Sequence, residues 1–214
     1  MVYIVTGSNT GVGLELAALL YSKNAKVHIA ARSNDKSLKA IETIKERQPK
    51  SKGKLEFLFL DLADLTKLKA SAEEFLAKES RLDVLFNNAG VLQSRNAEIS
   101  RTPQGYEMHL GVNNVGIFLF TKLLTPILVA TAKLEKPGAV RVVWVSSTAA
   151  DGLSHKPGGV AMDNLDYRRP IPVLNLYGNS KAGNYLHSVE FARRFKADGV
   201  ASVALHPGNL DSDL

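Results

Sequence analysis

Short β-prone runs at Val2–Val5, Lys26–Ala30, Leu55–Leu60, Asp83–Phe86, Arg141–Val145 and Val200–Leu205 are separated by stretches with helical spacing of apolar residues, from end to end of the chain. Strands that alternate with helices are joined by crossovers, which make neighbouring strands parallel and lay helices over both sheet faces. The expected helices cover Leu14–Lys23, Ser37–Gln48, a stretch capped by Asp64 that ends near Ser80, a long apolar stretch near 112–132, and Tyr177–Ala197. Their inward stripes include Leu38, Ile41 and Ile44, and later Leu65, Leu68, Ala72, Phe75 and Leu76. No linker, repeat or low-complexity segment interrupts the alternation, so the chain reads as one α/β domain over residues 1–214, long enough to bury a sizeable core.

The first strand runs straight into Thr6-Gly7-Ser8-Asn9-Thr10-Gly11-Val12-Gly13 and then into a helix. Glycines let the backbone turn sharply and approach a bulky anion, while the free N–H groups and positive dipole end of the helix favour phosphate. The spacing Gly-x-x-x-Gly-x-Gly is not the commoner Gly-x-Gly-x-x-Gly dinucleotide fingerprint, and a glycine connection without a ligand competes with this reading. The second strand ends at Ala31-Arg32-Ser33, where the adenosine ribose of a dinucleotide would lie. An acidic residue there would accept from a ribose 2′-OH, whereas an arginine without one suits a 2′-phosphate. Ala31-Arg32 therefore favours NADP over NAD, unless Arg32 is an ordinary solvated side chain. Asp61-Leu62 ends the third strand, and Asp61 could accept from an adenine amino group.

The fourth strand stops at Asn87-Asn88-Ala89-Gly90 and the fifth at Ser146-Ser147, both at the carboxyl edge where open α/β sheets bind ligands. A serine hydroxyl there could donate to a substrate carbonyl. Asn113, polar among apolar neighbours, is either a hydrogen-bonded core amide or the holder of a water in a proton path. Between Thr148 and Leu176 the apolar residues Leu153, Met162, Leu165, Tyr167, Ile171, Val173 and Leu174 either line a pocket or pack the loop on itself. Tyr177 and Lys181 come next, four residues apart on one face of the helix that Tyr177 is expected to open. A phenol with a pKa of about 10 is a poor acid or base near neutrality and needs a depression of roughly three units. A positive charge ~4 Å away is worth on the order of 4 kcal/mol at an effective dielectric near 20, enough to supply it. By itself the pair is weak, because chance alone readily places a lysine four residues after one of six tyrosines.

The absence of cysteine excludes disulfides, a thiolate nucleophile and a Cys-type zinc site, and the five histidines are far apart, so no metal site is expected. With no charged-then-apolar leader before the first strand, a reducing, cytoplasmic setting is expected. No uninterrupted apolar run reaches the ~18 residues of a spanning helix, so no transmembrane segment is expected. The net charge of +6 is scattered rather than drawn into a stripe, and nucleic acid is not expected as a partner.

Six motifs in fixed order now carry a resemblance: Thr6-Gly7-x-x-x-Gly11-x-Gly13, Asn87-Asn88-Ala89-Gly90, Asn113-x-x-Gly116-x-Phe118, Ser146-Ser147, Tyr177-x-x-x-Lys181 and Pro207-Gly208. The chain resembles the short-chain dehydrogenases/reductases from residue 2 to residue 214, and most of all their retinol-dehydrogenase and WW-domain-oxidoreductase branch. The resemblance implies a Rossmann-type, doubly wound parallel sheet in three layers, with six of the usual seven strands. It implies NADP(H)-dependent interconversion of an alcohol and a ketone or aldehyde, on a small and apolar substrate. The implied catalytic set is Asn113, Ser147, Tyr177 and Lys181: the tyrosine exchanges the proton, the serine orients the substrate oxygen, the lysine lowers the phenol pKa and binds the nicotinamide ribose, and the asparagine holds a water. The dinucleotide is then expected along Gly7, Asn9, Gly11, Val12 and Gly13, then Arg32, Asp61 and Leu62, then Asn87, Ala89 and Gly90, and finally Tyr177, Lys181, Pro207 and Gly208. Family members usually continue past the Pro-Gly turn into a substrate-covering segment and a seventh strand, so the chain reads as shortened at its C-terminus. An unpaired outer edge on the sixth strand, with Val200, Val203, Ala204 and Leu205, favours association into homo-oligomers. The shortened C-terminus leaves a rival function, a non-catalytic NADP-binding or interaction protein inactivated by truncation.

Overall fold

The computed structural model describes residues 1–208; residues 209–214, part of the expected domain, lie outside the described residues. Six strands form one parallel sheet: β1 (Val2–Thr6), β2 (Lys26–Ala31), β3 (Lys54–Phe59), β4 (Val84–Asn87), β5 (Val140–Val145) and β6 (Val200–Leu205). Their order is β3-β2-β1-β4-β5-β6. The chain builds outward from β1 to β3, returns to place β4 on the other side of β1, and builds outward again. That reversal leaves a crevice beyond the carboxyl ends of β1 and β4. This is the doubly wound architecture expected.

The helices are α1 (Gly11–Ser22), α2 (Asn34–Arg47), α3 (Leu65–Lys78), α4 (Met108–Ala132), the short α5 (Ala149–Gly152) and α6 (Val173–Phe195). Because strand side chains alternate between faces, the sheet divides its apolar residues between two cores. Val5, Val27 and Ile29 pack with Ala17, Tyr21, Ile41 and Ile44 of α1 and α2. Ile4, Ala30, Leu85, Val142 and Trp144 pack with Leu68 and Phe75 of α3, Ile117, Phe120 and Leu124 of α4, and Phe191 of α6. Caps fix the starts of α2 and α3: Ser33 accepts from Lys36 N–H, and the Asp64 carboxylate accepts from Thr66 N–H at 3.1 Å, as anticipated for Asp64.

Several helix starts are corrected: α1 and α2 begin at Gly11 and Asn34, three residues before the expected Leu14 and Ser37, and Leu38 and Leu76 of the expected inward stripes are exposed. Helix α6 begins at Val173, one turn before Tyr177, because Pro172 stands at its N-cap, where a missing N–H costs nothing, and its carbonyl accepts from Asn175 N–H at 2.9 Å. Helix α4 starts at Met108 and runs for 25 residues; with mean hydropathy 1.9 over an 18-residue window it is long and apolar enough to cross a membrane by length and composition, although Asn113, Asn114 and Lys122 interrupt the apolar run. Its apolar face is the core of the sheet: Ile117, Phe120, Leu124 and Leu128 are fully buried there. Residues Gly111–Gly116 of α4 form a π-helical turn.

Candidate active site

The turn after β1 is shaped by backbone demands that only glycine meets. Gly7 and Gly11 have φ of +66° and +54°. A Cβ on Gly7 would lie 2.9 Å from Ala89 Cα, and one on Gly13 would lie 2.6 Å from both Asn88 Nδ2 and Gly7 O. The turn is thereby pressed against the end of β4, and Thr6 completes the junction by accepting from Asn88 N–H and Ala89 N–H through its hydroxyl. Helix α1 starts here with no acidic residue in its first turn, leaving its N-terminal N–H groups and dipole suited to an anion.

A cleft of about 540 Å³ extends from this turn along the carboxyl edge of the sheet. It is lined by Gly7, Asn9, Gly11, Val12 and Gly13, by Ala89 and Gly90, by Ser147, Tyr177 and Lys181, and by Pro207 and Gly208. Every one of these was expected from the sequence. Thr10, Asn88, Leu92, Val145, Ser146, Thr148 and His206 line it as well; Asn88 and Ser146 belong to the expected strand-end motifs without being assigned to the site, and the others were not expected there. Asn88 could have been found from strand alternation, since consecutive residues at a strand end face opposite ways. Its neighbour Asn87 turns away from the cleft: the Asn87 amide donates to Thr121 Oγ1 at 2.9 Å, and its Oδ1 has no partner among the described residues. Arg32 is exposed at the end of β2. Asp61 accepts from Ala63 N–H and pairs with Lys67 at 3.2 Å, while the Leu62 side chain is buried in the core, so only its backbone is available to a ligand. Arg32, Asp61, Leu62, Asn87 and Asn113 do not line the cleft.

The second and third turns of α6 bring Tyr177 and Lys181 to the cleft. Ser147 stands beside the Tyr177 phenol and lowers its pKa, whereas Ser146 donates to Lys181 O at 2.8 Å, so the adjacent serines have different partners. Lys181 is 4% exposed; its Nζ donates to Val145 O at 3.0 Å and stands 5.5 Å from the Tyr177 ring centroid. Burial lowers the Lys181 pKa to about 8. The expected depression of the phenol by this ammonium does not appear. Burial pushes the Tyr177 pKa above its ordinary value and the Ser147 contact only partly offsets it, since the ammonium faces the ring and a carbonyl.

Asn113 is fully buried, and its amide is committed to protein partners. Its Oδ1 accepts from Val91 N–H at 2.8 Å, and its Nδ2 donates to Val91 O and to Ser180 Oγ at 3.1 and 2.9 Å. Of the two readings open from sequence, the side chain follows the hydrogen-bonded core amide. Asn114 extends the web, donating to Ser180 O and Asn184 Oδ1, and Gly183 makes room for it, since a Cβ there would lie 2.6 Å from Asn114 Nδ2. Gly90 has a similar role: a Cβ would come within 3.2 Å of Lys181 Nζ and 3.4 Å of Asn113 Oδ1.

A family model described as short chain dehydrogenase matches residues 1–161. The chain belongs to the short-chain dehydrogenase/reductase family. It is 56% identical over its whole length to a short-chain dehydrogenase/reductase of Phomopsis amygdali, and covers 63% of that protein. It is 51% identical to short-chain dehydrogenase/reductase sthC of Phaeosphaeria nodorum, covering 68% of it. This short-chain dehydrogenase/reductase chain thus spans somewhat under two thirds of the first of these relatives. Among solved structures, the Pseudomonas aeruginosa RhlG/NADP active-site complex superposes with a TM-score of 0.77 at 24% identity, over 99% of this chain and 73% of that one. A Sphingobium yanoikuyae short-chain dehydrogenase in complex with NADPH gives a TM-score of 0.75 at 19% identity, over 99% of this chain and 72% of that one. At these identities the likeness establishes the shared fold.

Proposed function

We propose that residues 1–214 form a single NADP(H)-binding domain of an oxidoreductase that interconverts an alcohol and a ketone or aldehyde. The observation that carries this reading is one cleft in which a phosphate-sized glycine turn at a helix N-terminus is continuous with Ser147, Tyr177 and Lys181. The turn fits a dinucleotide pyrophosphate: it is open to the cleft, lined by Gly7, Gly11 and Gly13, and faces the N–H groups that begin α1. Arg32, with Ala31 before it, would meet a ribose 2′-phosphate, and Asp61 with the Leu62 backbone would meet the adenine. When bound, the cofactor supplies or accepts the hydride.

In the reducing direction Ser147 donates a hydrogen bond to the substrate carbonyl oxygen, which takes the place of the Ser147–Tyr177 contact. Tyr177 then gives its phenolic proton to that oxygen as the carbon gains the hydride, leaving an alcohol and a phenolate. Lys181, still largely cationic at neutral pH with its pKa near 8 and its Nζ on Val145 O, would hold the nicotinamide ribose of a bound cofactor. Asn113, whose amide bonds to Val91 and Ser180, contributes by fixing the Gly90 side of the cleft. The apolar lining residues Leu92 and Val145 suit an apolar substrate.

The experiment is carbonyl-dependent loss of NADPH absorbance across a panel of aldehydes and ketones. Turnover is expected, and Tyr177→Phe is expected to lower kcat by about 10³-fold while NADPH affinity is nearly kept. A phenylalanine variant retaining most of its activity would remove Tyr177 from the proton step.

A further inference from the structure

Behind Tyr177 lies a buried pair that the proton and hydride steps do not use. Glu107 and His109 are both fully buried. The Glu107 carboxylate accepts from His109 N–H and Leu110 N–H, each at 2.9 Å, and so caps the start of α4. Its Oε1 also lies 2.7 Å from His109 Nδ1. The other ring nitrogen, Nε2, is 3.1 Å from the backbone N–H of Gln93. A backbone N–H can only donate, so Nε2 must be the bare nitrogen; Nδ1 therefore carries the proton and donates it to Glu107. The imidazole is locked as a neutral bridge between two fixed groups.

Two walls of the cleft rest on that bridge. The His109 ring stands edge-on to the Tyr177 ring, with centroids 6.1 Å apart and planes at 71°. Gln93, whose N–H the ring accepts, directly succeeds Leu92, which lines the cleft. Asn113, four residues after His109 on the same helix, holds both backbone groups of Val91.

We infer that Glu107 and His109 are positioning residues that set the gap between the Tyr177 phenol and the Leu92 wall, and with it the size of carbonyl compound the cleft admits. This rests on the oxidoreductase reading for its effect on turnover, but the geometric link between His109 and Tyr177 does not.

His109→Leu removes both hydrogen bonds, whereas His109→Gln can restore them, its amide N–H facing Glu107 and its carbonyl facing Gln93 N–H. Each variant is compared with wild type in NADPH affinity, in kcat and KM over carbonyls of graded bulk, and in the titration of the Tyr177 phenol monitored by ¹³Cζ NMR. For His109→Leu, kcat is expected to fall about tenfold, KM to rank substrate bulk differently from wild type, the phenol titration to shift, and the NADPH Kd to stay within about twofold. His109→Gln is expected to return most of kcat and of the wild-type titration. A phenol titration and substrate ranking unchanged in His109→Leu would overturn the inference, and so would a glutamine variant as impaired as the leucine one. If His109→Leu does not fold, His109→Phe, which fills the space but bonds neither partner, takes its place with the same expectations. If wild type turns over no carbonyl, the oxidoreductase reading fails, and the NMR comparison still decides the positioning.

Discussion

The two faces of the sheet are built on different principles. Under α1 and α2 the buried side chains are Val5, Ala17, Val27, Ile29, Ile41 and Ile44, apolar and close-packed. Where α4 meets α6, the buried set is Asn113, Asn114, Ser180, Lys181 and Asn184, with Glu107 and His109 beside them. Apolar burial is favourable and tolerant of sequence change, whereas each buried polar group must find its partner or carry a penalty. The α1/α2 face is apolar throughout, whereas the other face joins its own apolar core of Ile4, Leu85, Trp144, Phe120 and Leu124 to a polar web that holds groups where a ligand can meet them.

The largest expected effect tests the apolar face. Ile44→Ala empties a fully buried site on α2, far from any polar partner. It should cost about 2–5 kcal/mol in urea denaturation while leaving kcat of the folded protein unchanged. A loss of kcat beyond about twofold would show that the faces are coupled.

The polar face predicts the reverse trade. Burial holds the Lys181 pKa at about 8, against 10.5 for the free side chain. Between those values the unfolded chain binds more protons than the folded one, so stability rises with pH across that window, by ~3 kcal/mol in total, and none of that gain is present below it. Lys181→Met removes the buried charge. Subtracting its unfolding free energy from that of wild type at each pH from 7 to 11 should give a difference that rises through the window, the variant being the more stable protein at neutral pH and catalytically dead. A flat difference would mean that the ammonium is compensated in place.

Gly90→Ala is a finer probe of the same face. The added methyl would press on Lys181 Nζ and Asn113 Oδ1 at 3.2 and 3.4 Å, and should lower kcat about tenfold with less than about 1 kcal/mol lost in stability. The smallest effect belongs to Arg32→Ala at the outer end of the cofactor site. An exposed ion pair is worth up to about 1 kcal/mol, so the preference for NADPH over NADH, measured by fluorescence titration, should narrow by no more than about fivefold. Equal affinities in the unmutated protein would assign the preference elsewhere.

The apolar face and the strand order were legible in sequence because alternation of strand and helix is a long-range pattern that local exceptions do not erase. The glycine turn, Ser147, Tyr177 and Lys181 were legible because they sit at strand ends or on a short helical spacing. What stayed hidden depends on contacts between distant segments. Nothing local announces that His109, held by Glu107, faces Tyr177, or that Gln93 supplies the donor that fixes the imidazole tautomer. Asn113 was found as polar among apolar neighbours, but its partners Val91 and Ser180 come from a loop and another helix. The start of α6 was placed a turn late because Pro172 reads as a breaker unless it falls at a helix start. The direction of the Tyr177 shift was misjudged because burial cannot be weighed against charge before the neighbours are known.

The wide turn at Gly111–Gly116 has a consequence for how this chain can change in length. A π turn holds one residue more than the regular helix needs, so the half of α4 before it is rotated by about 100° relative to the half after it. Upstream lie Glu107 and His109; downstream lie Ile117, Phe120 and Leu124, seated in the core. Deleting a single residue from this turn would leave a sound, continuous helix with the same buried hydrocarbon, yet would swing its first residues off the Tyr177 side. The surplus residue works as a phase shift between two halves of one helix, and a one-residue deletion here would yield a protein that folds but is aimed wrongly.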